Sequence, residues 1–255
     1  MQQDGITSDM LLLQLKPESN KPKDLKEIYR RLCLSAQNRQ MSSRVIGGSI
    51  EGVDKLEKVV AQFNPHSVVK KYAPGEAPKL LAEIKTKLKP SGKIRATSRS
   101  IWPNYCETII QAAHFLAQFQ DGKNFFHWVH SFTKDPRSVS ALPQIISIEI
   151  DGIGFPLACD FLKEIGCLEY GKPDVHVKKI LAGLGFIAMK SNNPVKENYE
   201  TFKVLNRISL NNQVTSFEVD KLIWLIGSGR FYNSGITIGR KAADFISYCK
   251  KQEKK

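Results

Sequence analysis

The residue in this chain whose setting most suggests chemistry is Asp174, because it follows a backbone device suited to gripping a phosphate. That device is Asp151-Gly152-Ile153-Gly154, set between an apolar segment that begins at Leu142 and a helix-like run from Pro156 to Ile165. Gly152 and Gly154 have no Cβ, so the chain can take positive φ there and bring main-chain N–H groups close to a ligand at the start of the next helix. Such a hairpin is an anion site. The acid arrives soon after, in Lys172-Pro173-Asp174-Val175-His176-Val177. Pro173 biases Lys172 toward an extended conformation, which favours Asp174 at the opening of a helix. A carboxylate there can stabilise developing positive charge and orient or deprotonate a water. It can also simply cap the helix through Val177, Ile180 and Leu181, and the two roles are compatible.

The elements that must position these groups read as helices. Apolar residues recur at helical spacing in Leu25, Ile28, Leu32; in Val53, Leu56, Val59, Val60, Phe63; and in Leu80, Leu81, Ile84, Leu88. The same spacing continues through Ile109, Ile110, Ala113, Leu116, through Phe202, Leu205, Ile208, and through Leu222, Ile223, Leu225, Ile226. Strand-like alternation is scarce, so the expected class is all-α. Turn signals at Asn64-Pro65, Pro74-Gly75, Pro90-Ser91-Gly92, Asp135-Pro136 and Asn192-Asn193-Pro194 separate the helices. No internal repeat is present.

A chain of 255 residues can bury a sizeable core without covalent staples. Its formal charge of +13, from 38 basic and 25 acidic residues, attracts polyanions, and nucleic acid is the natural partner. Part of that charge lies in Lys250-Lys251-Gln252-Glu253-Lys254-Lys255, which reads as a solvated end. The N-terminus lacks a basic, apolar leader, and no segment approaches the roughly 18 to 20 apolar residues of a membrane span. A soluble, intracellular protein with no membrane partner is expected. Five scattered cysteines (Cys33, Cys106, Cys159, Cys167, Cys249) fit buried thiols better than a disulfide framework or a zinc site. His127 and His130 lack further local ligands for zinc.

The hairpin followed by Pro-Asp-Val-His resembles the helix-hairpin-helix DNA glycosylases of the endonuclease III superfamily, whose essential aspartate falls on Asp174. Two further blocks resemble the same family in the same order. Leu34-Ser35-Ala36-Gln37 is similar to the segment that inserts a glutamine, here Gln37, into the gap left by a flipped base. Val219-Asp220, Trp224-Leu225-Ile226 and Gly229-Arg230-Phe231 are similar to the family's C-terminal helix. The resemblance runs from about Ile28 to about Tyr232.

It implies two helical lobes with the active-site cleft between them: residues 36–166 as a barrel carrying the hairpin, and 1–35 with 167–255 as the second. It also implies a monomer that binds double-stranded DNA containing a damaged or mismatched base through Gly152, Ile153, Gly154, Phe155, Gln37 and Arg230, in the cytoplasm, nucleoid or nucleus. The carbonyls of Ile148, Ile150 and Ile153 stand where relatives hold a monovalent cation.

Three departures refine the expectation. Pro156, eighteen residues before Asp174, occupies the position of the lysine nucleophile of bifunctional relatives. Proline cannot form a Schiff base, so water is the expected nucleophile and the enzyme monofunctional. Lys163 and Lys172, read as solvated, are the alternatives for a relocated nucleophile. The stretch after Phe231 lacks the four cysteines of an iron–sulfur cluster, so no such cofactor is expected. Arg31 stands nearest the position where adenine-removing relatives carry a glutamate, against adenine as the target. Trp102, Tyr105, Phe125, Phe126, Trp128, Phe231 and Tyr232 are candidates to stack on a flipped base. Arg39, Arg44, Arg95, Arg99, Arg230 and Arg240 are candidates for phosphates. A catalytically silent lesion sensor is the rival from another class. It has no use for a buried acid beside phosphates.

Overall fold

The computed structural model describes residues 6–17, 21–97, 99–188, 192–231 and 235–252. Tyr232 and the last three residues of the basic tail lie outside that set. Among the described residues the regular structure is helical, apart from one antiparallel bridge between Arg230 and Thr237.

In chain order the α-helices are α1 (Ser8–Leu15), α2 (Leu25–Ala36), α3 (Pro65–Lys71), α4 (Ala77–Leu88), α5 (Ile101–Leu116) and α6 (Gly122–Thr133). They continue with α7 (Ala141–Glu149), α8 (Phe155–Glu164), α9 (Val175–Gly183), α10 (Pro194–Asn212), α11 (Ser216–Ser228) and α12 (Ala242–Gln252). Two compact units form, Asn20–Ile165 and Met1–Ser19 with Gly166–Lys255. The first boundary therefore precedes α2, where the sequence suggested residue 36. The reason is the face α2 buries: Ile28, Tyr29, Leu32 and Cys33 are fully enclosed, and the helix packs on α5 and α8.

In the Asn20–Ile165 unit, α5 is the central rod, packed by α2, α3 and α4. Buried hydroxyls join it to α2: Tyr29 donates to the Ile109 carbonyl at 2.8 Å and Tyr105 to the Cys33 carbonyl at 2.9 Å. Asn64-Pro65 proves to be a helix start, with Asn64 accepting from the Ser67 N–H at 3.1 Å and proline in the first turn of α3.

The helix that the apolar spacing from Val53 to Phe63 predicts does not form. The chain from 39 to 63 instead makes short 3-10 turns at Arg39–Arg44, Gly47–Ile50, Val53–Lys58 and Ala61–Phe63. Ala61, Gln62 and Phe63 all have positive φ (48°, 54° and 57°), which no α-helix of L-residues can absorb. Val53, Leu56, Val59, Val60 and Phe63 are nevertheless buried, so the apolar pattern reported burial correctly and element type incorrectly.

In the other unit, Val177, Ile180 and Leu181 of α9, Leu205 of α10, Val219 and Ile223 of α11 and Ala242 of α12 form one core. Asn193 caps α10, with Pro194 in its first turn, and a Thr215–Glu218 capping box opens α11. Among the described residues no helix is long and apolar enough to cross a membrane.

Candidate active site and hairpin

The α7–α8 connection forms a tight hairpin that α5 holds from behind. The Ile150 N–H donates to the Ile146 carbonyl and the Ile153 N–H to the Ile150 carbonyl, both at 3.1 Å, while the side chains of Ile150 and Ile153 are buried. From α5, Thr108 Oγ1 donates to the Asp151 carbonyl at 2.7 Å. Gln111 accepts the Asp151 N–H at 2.6 Å and donates to Asp151 Oδ2 at 3.2 Å. Gly152 has φ +93°, and a methyl group built on it would overlap Thr108 Oγ1 and lie 2.9 Å from Arg39 Nη1. Only glycine satisfies both conditions.

Gly154 differs from the sequence expectation. Its φ of −75° and ψ of 166° are the extended values of an N-cap, and an added Cβ would meet only Pro156 Cδ, at 3.9 Å. Its missing side chain is not a backbone requirement; it keeps the approach to the α8 N-terminus open. The N–H groups of Gly152 and Gly154 have no acceptor among the described residues, so two donors are available at the positive end of a helix dipole. An added methyl at Gly154 is therefore expected to leave the melting temperature unchanged, which thermal unfolding of Gly154→Ala can check.

The carbonyl of Ile148 lies in the last turn of α7 and those of Ile150 and Ile153 in the hairpin, where that of Ile150 already accepts the Ile153 N–H. A carbonyl oxygen keeps a second lone pair for a cation. Pro156 sits in the first turn of α8, where its missing N–H costs the helix nothing. Lys163 is not the solvated lysine expected: it is buried, with Nζ 3.2 Å from Asp160 Oδ1.

Gln37 ends α2, and its Oε1 accepts the Gly47 N–H at 3.2 Å. Arg31 is held by Glu27 Oε1 and the Glu164 carbonyl, each at 2.7 Å. Glu27 serves Arg30 as well, and that first hydrogen bond helps lower its carboxyl pKa to about 2. Arg31 thus bridges α2 to the end of α8.

Asp174 is the N-cap of α9: Oδ1 accepts the N–H groups of His176 and Val177 at 2.9 and 3.0 Å. Its other carboxylate oxygen accepts no hydrogen bond among the described residues. Burial raises the Asp174 pKa above its ordinary value, the Val177 N–H opposes that, and the charge of Asp220 raises it further; Lys172 and His176 pull it down. Asp220 is itself buried, 2% exposed. The segment before Asp174 lies along α11, so close that a Cβ on Gly171 would be 2.9 Å from the Ser216 carbonyl oxygen and 3.5 Å from Asp220 Cβ. On the far side of the cap, the His176 ring meets Trp224 edge to face at 6.4 Å, and Gly227 admits His176, whose Cβ would lie 2.8 Å from a Cβ there. The Asp-Val-His and Trp-Leu-Ile sequence blocks therefore form one packed unit.

Arg230 is exposed and pairs across an antiparallel bridge with Thr237; beside it the Phe231 N–H reaches the Ile236 carbonyl at 2.9 Å and the Ile238 N–H the Gly229 carbonyl at 2.8 Å. Gly229 is in the left-handed region, and any Cβ on it would collide with the Gly239 backbone.

The candidate aromatics serve mostly as core: Trp102, Tyr105, Phe125 and Phe231 are buried, Trp128 packs on Phe115 and Phe119, and Phe126 lies under Lys21. Cys33 and Cys106 are buried, and burial drives both thiol pKa values far up. No group of three or more potential metal-ligating side chains occurs among the described residues.

Sequence reasoning did not find Thr108 and Gln111 as hairpin supports or Asp220 as a neighbour of the acid. Their partners lie 40 or more residues away, with no local signal.

Comparison with solved structures finds an 8-oxoguanine glycosylase/lyase of Methanocaldococcus jannaschii, crystallised with a 15-mer DNA containing 8-oxoguanine. The match covers 88% of this chain and 92% of that one, with a TM-score of 0.55 and 18% identity. This chain therefore has an all-helical fold of the kind found in that DNA glycosylase. No protein-family model and no curated protein matches the sequence.

Proposed function

We propose that this protein is a base-excision DNA glycosylase that grips duplex DNA through its 151–156 hairpin, flips a damaged or mismatched base, and hydrolyses the N-glycosidic bond with Asp174. The observation that carries the reading is Asp174 itself: a carboxylate with one oxygen spent on capping α9 and the other uncommitted, on a fold shared with a DNA glycosylase. Departure of a base builds positive charge on the deoxyribose. A fixed carboxylate stabilises that charge, and its uncommitted oxygen can take the proton of an attacking water. The net charge of +13 and the unpaired amides of Gly152 and Gly154 support a polyanionic partner. The carbonyls of Ile148, Ile150 and Ile153 would add a monovalent cation beside the phosphate. Gln37 would fill the vacated base position after releasing Gly47, and Arg230 would meet a neighbouring phosphate.

Proline at 156 supports water as the nucleophile. A panel of duplexes, each with one lesion, should yield abasic strands that break only after alkali, and borohydride should trap no protein–DNA adduct. Breakage without alkali together with a trapped adduct would replace this reading with a second one. That second reading rests on Lys163, buried in α8 two turns beyond Pro156, and on the neighbour's description as a glycosylase/lyase.

A further inference from the structure

Arg39 stands out among the cations of the Asn20–Ile165 unit. It opens the 3-10 turn after α2, and that turn is stapled: Ser42 Oγ reaches the carbonyls of Arg39 and Gln37, at 2.5 and 3.0 Å. Arg39 is half-buried, and its Nη1 lies 2.9 Å from where a Cβ on Gly152 would stand, on the same side of that glycine as Thr108 of α5. The guanidinium makes no hydrogen bond or ion pair among the described residues. The arginines that the fold does use are bonded: Arg30 to Glu27 and Asp54, Arg31 to Glu27 and the Glu164 carbonyl. From Arg30 to Ile50 the chain carries no acidic residue to neutralise Arg39. A guanidinium has five donors and no acceptor, and holding one half out of water without a partner is unfavourable.

Gly152, which the guanidinium approaches, and Gly154 two residues on both have N–H groups with no acceptor among the described residues. We infer that Arg39 completes the hairpin's phosphate site, its guanidinium and the two hairpin amides closing on the same backbone phosphate of bound DNA. This inference rests on the DNA-binding reading above and adds to it a charged ligand from outside the hairpin. The donor chemistry suits it, since guanidinium recognises phosphate through a planar fork whereas the amides supply fixed single donors. Arg39 is also two residues beyond Gln37 in one stapled turn, so engaging the phosphate would set the position of that turn against the DNA. Contacts to phosphate position the protein and carry no base information.

The test uses the full chain, an undamaged duplex and a lesion duplex, with affinity measured by fluorescence anisotropy across a salt series. Arg39→Gln keeps a polar, hydrogen-bonding side chain but removes the charge and shortens the reach, and should weaken binding of both duplexes by about tenfold. It should also make the log–log salt slope shallower by about 0.9, the value of one phosphate contact. Because Arg39 has no partner to lose, the melting temperature should not change. Arg39→Lys should recover the salt slope and only part of the affinity. Combined with Gly154→Ala, the losses should be clearly less than additive, as groups on one phosphate are coupled. An unchanged slope in Arg39→Gln, or strictly additive losses, would overturn the inference while leaving the glycosylase reading intact. Parental protein that fails to bind either duplex would instead sink that reading.

Discussion

Asp174→Asn is expected to lower the rate of base release by about 10²- to 10⁴-fold while leaving duplex affinity within a few-fold of the parent. The substitution isolates chemistry from structure because asparagine caps helices as well as aspartate does, so α9 keeps the acceptor that Oδ1 gives to His176 and Val177. Asp174→Ala should lose the same rate and, in addition, about 1 kcal/mol of stability with the cap.

The pH dependence follows from the raised pKa, whose largest cause is burial. Catalysis requires the ionised form, so single-turnover rates should fall on acidification with an apparent pKa above about 3.9, the ordinary aspartate value. Stability moves the other way. The folded carboxyl holds its proton more tightly than the unfolded one, so its contribution is fully present below the unfolded pKa and is lost as pH rises through the folded value. At neutral pH Asp174→Asn should therefore melt at or above the parental temperature. An Asn variant that turns over at the parental rate would reduce Asp174 to a cap.

Gly152→Val is expected to lower affinity for damaged and undamaged duplex alike by about a hundredfold, and to lower the melting temperature. A β-branched residue at φ +93° costs on the order of 1–3 kcal/mol in backbone strain, and its side chain would overlap Thr108 Oγ1. The hairpin must then leave α5, breaking the Thr108 and Gln111 hydrogen bonds to Asp151 and misplacing both free amides. Thr108→Ala in the Gly152→Ala background should recover part of the loss, since it removes the overlapping hydroxyl but not the strained φ. Binding at the parental level in Gly152→Val would show that the hairpin is not the grip.

Most of the helices, the hairpin and the place of Asp174 at the start of α9 were legible in the sequence because each rests on local information. Apolar spacing marks a buried helical face, and glycines between two such faces mark a turn. Asn64-Pro65 and Asn193-Pro194 became helix starts by the same local logic.

The failures share a cause. Nothing in Ala61-Gln62-Phe63 announces three successive left-handed residues, so the 53–63 stretch reads as helix. Gly154 was given a positive φ that only Gly152 needs, because sequence alone cannot divide a hairpin's strain between its two glycines. Lys163 read as solvated because its burial depends on how α8 packs within its unit. Thr108, Gln111 and Arg39 reach the hairpin across long stretches of chain. Such convergence belongs to the tertiary structure.

The central claim is that Asp174 drives base release from lesion-containing duplex DNA. The most direct measurement incubates the parental chain and Asp174→Asn with the lesion panel, followed by alkali and separation of the strands. The account predicts alkali-dependent breakage at one lesion or more with the parent and none with the Asn variant; equal breakage by both proteins, or none by a parent that binds the duplexes, would contradict it.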